Sequence, residues 1–216
     1  MENYLHHDWV SVYLTGVGIA VALFQYYSNS HKRSATAVAD EIEKFNEDPS
    51  VHVATRLLGW RSGKMPFVAP DGKHKVYVFD EQFFRTALRP HTMKRCEVTG
   101  YKLSNDIFAQ RKLAEGENCD YIFSEGEQFV RDQFDMFLGR LERIEMQIRR
   151  RVMSGGSFRD FFSYWLDVLG GKKPGHLSEA NRQAFIRFVE FYEYKGVQRL
   201  FARYGKPLVL APRQPV

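Results

Sequence analysis

The chain is poor in cysteine, with two in 216 residues, which excludes a disulfide scaffold. Proline is sparse at eight residues, and no stretch repeats, which excludes collagen-like and low-complexity chains. Residues 1–30 hold no Lys or Arg at all. Gly-x-Ser-x-Gly, a phosphate-binding P-loop and Gly-x-Gly-x-x-Gly are all missing, so neither the commonest hydrolase elbow nor a nucleotide fingerprint is present. Cys96 and Cys119 stand 23 apart with no Cys-x-x-Cys, and none of the seven histidines shares a helical spacing with a carboxylate in a metal-site pattern. The residues therefore predict no catalytic group, no cofactor and no metal, and the two cysteines read as free thiols. Gly170-Gly-Lys-Lys-Pro-Gly175 lacks the length and the hydroxyl of a phosphate loop and reads as a solvated turn.

What is present begins with one uncharged run. From Trp9 to Ser30 there are 22 residues without a formal charge, centred on Val10–Phe24. About 20 apolar residues of helix span a bilayer core. The overall mean hydropathy of −0.41 hides this segment inside an otherwise charged chain. A cleaved leader would start with Lys or Arg, whereas here His31-Lys32-Arg33 follows the run. The run reads as a transmembrane helix over 9–30, with Trp9, Tyr26 and Tyr27 at the two interfaces and Lys32 and Arg33 on the cytoplasmic flank. Residues 1–30 carry two acids, so the remaining 24 acids face all 31 bases, a surplus of seven on residues 31–216. The positive-inside rule then places residues 1–8 outside and the rest in the cytoplasm of a bacterial inner membrane. Gly16 with Ala20, and Gly18 with Ala22, are small pairs four apart, a spacing that lets two membrane helices approach closely and points to a homo-oligomer.

Residues 31–204 read as a mainly α-helical domain and 205–216 as a flexible tail. Val38, Ile42 and Phe45 give a helix over 34–45 that Asn46-Glu-Asp-Pro49 breaks. Ser50 is expected to cap a second helix to Leu58. Asp71-Gly72 between two short β-rich runs predicts a hairpin near 65–79. Asp80 opens a helix to Leu88, and a short helix is expected over 104–114. Ser124-Glu-Gly-Glu127 is a capping box, followed by Val130, Phe134, Phe137, Leu141, Ile144, Ile148 and Val152 on one face. Two bulky phenylalanines make that stripe a core helix rather than a two-stranded seam. Gly155-Gly156 should end it, Ser157 should cap a helix over 158–169, and Ser178 a final helix over 179–204 with a bend at Gly196.

Glu142 and Glu145 alternate with Arg140, Arg143 and Arg149 and read as surface ion pairs. Arg149, Arg150 and Arg151, with Lys172 and Lys173, form a candidate patch for anionic lipid headgroups. Without a nucleic-acid module, nucleic acid is not expected as a partner.

The membrane helix, Phe45-Asn-Glu-Asp-Pro49, Ala54-Thr-Arg-Leu-Leu58 and Phe137-Leu-Gly-Arg-Leu-Glu-Arg-Ile144 occur in an order that resembles an uncharacterised family of small bacterial single-pass membrane-anchored proteins, a domain of unknown function. The resemblance implies a membrane anchor and assigns no activity and no site residue. By analogy, small anchored proteins of this design look like membrane effectors of phage defence. The expected function is a membrane-anchored regulator or effector, its partners the bilayer, further copies of itself, and an unknown cytoplasmic protein or small ligand. The alternatives are a non-enzymatic scaffold and a membrane-anchored nucleotide- or nucleic-acid-binding enzyme.

Overall fold

The computed structural model describes residues 4–60, 62–68, 72–99, 121–171 and 177–210. It is mainly helical, with one small antiparallel sheet, and among the described residues no helix is long and apolar enough to cross a membrane. The expected helix over 104–114 lies outside the described residues.

The first helix, α1 (Tyr4–Glu47), runs 44 residues without a break. The expected helix over 34–45 is its last part. There Val38, Glu41 and Phe45 are buried at a helical spacing. The Phe45 ring lies 6.1 Å from Phe137 and 5.8 Å from both Phe161 and Phe162.

Helix α2 (Pro49–Gly59) starts two residues earlier than expected. Its cap is Asp48, not Ser50: Asp48 accepts from the Ser50 backbone N–H at 2.9 Å and from its hydroxyl at 2.6 Å. Proline at the first helical position lacks the N–H that would need a partner there, which favours the earlier start. Arg140 donates through Nε to Asp48 at 2.8 Å and lies 3.8 Å from Glu41, tying α1 and α2 to the central helix. Burial pushes the Asp48 carboxyl up, but the Ser50 and Arg140 bonds outweigh it and hold the group below its ordinary value.

The hairpin is present. Strands β1 (Gly63–Val68) and β2 (His74–Phe79) pair antiparallel, with Gly63 opposite Phe79 and Val68 opposite His74. Gly72 takes φ 78° in the turn, where a side chain would be strained. Met65 and Phe79 face the core, while Val76 and Val78 are exposed. Asp80 then caps α3 (Glu81–Ala87), accepting from Phe83 N at 2.7 Å, and α4 (Arg95–Thr99) follows.

The central helix, α5 (Glu125–Arg149), opens on the expected capping box, with Ser124 N to Glu127 at 2.9 Å and Glu127 N to Ser124 Oγ at 3.4 Å. Val130 through Ile148 of the predicted stripe are buried, and α2, α3 and the last helix pack on α5, so it is a core helix. Val152 is not part of that face: it lies past the helix end and is 51% exposed. Ser124→Ala should destabilise the domain by about 1 kcal/mol, read as the shift of a denaturant midpoint.

Arg151, at φ 59°, turns the chain, and Ser154 rather than Ser157 caps α6 (Gly155–Leu169), so Gly155-Gly156 begin a helix instead of ending one. The final helix is two. α7 (Glu179–Phe191), capped by Ser178, stops at Glu193 with φ 56°, and α8 (Lys195–Arg203) follows. Gly196 lies inside α8 and is no bend. Its N–H donates to Glu142 Oε1 at 2.9 Å, and a Cβ there would sit 3.0 Å from that oxygen. Residues 205–210 of the expected loose tail are draped over the domain, with Leu208 buried and Lys206 paired to Asp167. Positions 211–216 lie outside the described residues.

Candidate functional site: a buried arginine cluster and its pocket

The polar centre of the domain lies where the end of α3, the start of α5 and the end of α7 meet. Arg89 follows α3 with its side chain fully buried. It donates to Thr86 O at 2.6 Å, Glu127 Oε1 at 3.0 Å and Ile122 O at 2.8 Å. The other Glu127 oxygen is held by Arg95 of α4. One turn along α5, Arg131 donates to the carbonyls of Ala87 at 2.9 Å and Arg89 at 2.7 Å and to the Tyr192 hydroxyl. Arg131 has no carboxylate partner among the described residues. Backbone carbonyls and aromatic faces surround it instead, and both Arg89 and Arg131 lie 4.0 Å from the Phe123 ring centroid. His91 meets the same hydroxyl at 3.1 Å and packs edge-on against Phe191.

Burial pulls the Arg89 guanidinium below its ordinary pKa, and Arg95 and Arg131 push the same way against Glu127. Its Nε is buried and has no hydrogen-bond partner among the described residues. The same arginine lines a pocket of about 240 Å³ between α3, α4 and α7, together with Arg85, Arg187, Glu97 and Gln183 over Leu88 and Ala184. Arg85 is anchored by Asn181 at 3.2 Å and Glu81 at 3.9 Å.

A second, open cleft of about 820 Å³ is lined by Thr55, Arg56, Trp60, Ser62, Tyr164 and Trp165. There the Arg56 guanidinium stacks 4.6 Å from the Trp60 ring.

The residues singled out from sequence are placed as follows. Gly16, Gly18, Ala20 and Ala22 are exposed on α1, and a Cβ on either glycine would meet nothing within 4 Å. The side chains of Trp9, Tyr26, Tyr27, Lys32 and Arg33 lie outside the described residues, as do Lys172, Lys173, Cys119 and the Cys96 side chain. Arg149, Arg150 and Arg151 are exposed at the end of α5. Among the described residues no group of His, Cys, Asp or Glu is arranged to hold a metal ion.

The surface pairing expected of Glu145 is corrected: its side chain is only 2% exposed and receives Arg199 of α8 at 3.4 Å as well as Arg149 at 4.0 Å. Sequence reasoning missed Arg89 and Arg131 entirely. The available signal was Arg131 at the helical spacing of Glu127, one turn inside the capping box. No family model, no curated protein and no solved structure matches this chain.

Proposed function

We propose that the protein is a membrane-tethered regulator or effector, with α1 as its anchor and the helical domain as the part that receives a signal. One observation carries the reading. Residues 15–25 of α1 are all exposed, among them Val17, Ile19, Val21, Leu23 and Phe24 at 45–75%, while Val38 and Phe45 of the same helix are buried in the core. Contiguous apolar surface of this kind marks a contact with lipid or another protein. The uncharged run reaches beyond these eleven residues on both sides, from Trp9 to Ser30.

The absence of Lys and Arg before the run supports an outside N-terminus. Gly16/Ala20 and Gly18/Ala22 supply two surfaces for self-association, through which an effector would perturb the bilayer.

Fractionation of cells expressing the full chain, with protease added from the outer side, tests the anchor. The chain should sediment with membranes, resist carbonate extraction and keep its domain protected. Recovery in the supernatant overturns the reading. Gly16→Leu with Gly18→Leu should reduce both oligomer size and toxicity on overexpression. If neither changes, the self-association is wrong, and retained function with an unrelated span would instead mark a scaffold.

A further inference from the structure

We propose that the pocket between α3, α4 and α7 is a binding site for a small phosphate monoester. Three arginines, Arg85 and Arg187 on two helices and Arg89 in the turn after α3, line one cavity, with the Arg89 side chain fully buried behind its surface. Guanidinium groups in a fork geometry are the side chains best matched to phosphate oxygens.

Each arginine is in a different state. Arg85 is already braced by Asn181 and Glu81. Arg89 is locked by three acceptors, and its buried Nε–H has none among the described residues. Arg187 is half-buried on α7 and has no carboxylate partner among the described residues. A cation in that position, beside two rigid ones, is left with charge that an incoming anion neutralises. Arg85 and Arg89 already have carboxylates beside them in Glu81 and Glu127, so the charge open to a ligand is chiefly that of Arg187.

Size and lining narrow the ligand. A cavity of about 240 Å³ admits a phosphoryl group with a small organic part and is too small for a dinucleotide. Leu88, Met93, Val98 and Ala184 supply an apolar wall, which free phosphate does not use. Among the described residues Glu97 is the one carboxylate in the lining, and it accepts from the Lys94 backbone N–H at 3.3 Å. It disfavours a second anionic group on the ligand and offers an acceptor to a hydroxyl. A hydroxylated monoester matches Arg187, the apolar wall and Glu97 together.

The site stands apart from the membrane reading, because none of its residues lies on α1. Calorimetric titration of the full chain in a maltoside detergent, free of phosphate headgroups, tests it with ribose 5-phosphate, inorganic phosphate and ribose. Ribose 5-phosphate should bind, more tightly than inorganic phosphate, with affinity that falls as salt rises, and ribose should not bind. Arg187→Met should weaken binding about tenfold or more, with the unliganded melting temperature unchanged. Arg187→Lys should keep part of the affinity, and Arg149→Met, remote from the pocket, all of it. No binding of the ester, equal binding of ester and free phosphate, or wild-type affinity in Arg187→Met each overturns the proposal.

Discussion

Glu127→Ala should lower the unfolding free energy by about 3–5 kcal/mol, the range for removing one partner of a buried ion pair. The carboxylate is 1% exposed and serves three donors: Arg89, Arg95 and the Ser124 backbone N–H. Its removal strands the fully buried Arg89 guanidinium beside Arg131, and the remaining carbonyl acceptors of Arg89 supply no counter-charge. Glu127→Gln keeps an oxygen for the Ser124 cap and for one arginine, so it should lose about half as much. Urea unfolding of both variants checks this. A loss in Glu127→Ala under about 1 kcal/mol would mean that Arg89 is hydrated or finds another anion.

Phe134→Ala should cost about 3–5 kcal/mol, as large-to-small changes in a closed core do. Its ring is fully buried and meets Phe84 at 5.6 Å, Phe185 at 6.1 Å and Phe137 at 6.3 Å, so α3, α5 and α7 all lose contact together. Phe134→Leu should recover more than half. Val152→Ala, from the same predicted stripe, should change stability by less than about 0.5 kcal/mol, because the structure leaves Val152 in solvent. Comparable losses in Phe134→Ala and Val152→Ala would contradict the end of α5 described above.

Those two residues show where the chain is legible. The α5 face is written in a long, uniform period, and one period settles one face. Ends are written in single residues and are harder to read. Ser50 and Ser157 look like caps, but Asp48 before Pro49 and Ser154 before two glycines compete for the same turns and win. The break between α7 and α8 falls at Glu193, where no glycine marks it. Gly196 instead answers to Glu142, 54 residues earlier, a contact that no local pattern contains. The arginine cluster was illegible for the same reason. Arg89, Arg95, Glu127 and Arg131 look like ordinary surface charges in a linear reading. Only the docking of α3 and α7 against α5 desolvates them. The exposed apolar part of α1 was legible because it depends on nothing but its own eleven residues and their neighbours in sequence.

Because α1 is one uninterrupted helix, its two ends share a single phase. At about 100° per residue, Gly16 and Ala20 fall within about 20° of the azimuth of Phe45, the side on which the domain hangs. Gly18 and Ala22 fall about 140–180° away. Two copies joined through the first pair would be turned with their domains toward each other, and joined through the second would carry them outward, back to back. Inserting one alanine between Phe24 and Val38 would rotate the domain by about 100° relative to either surface while leaving both intact.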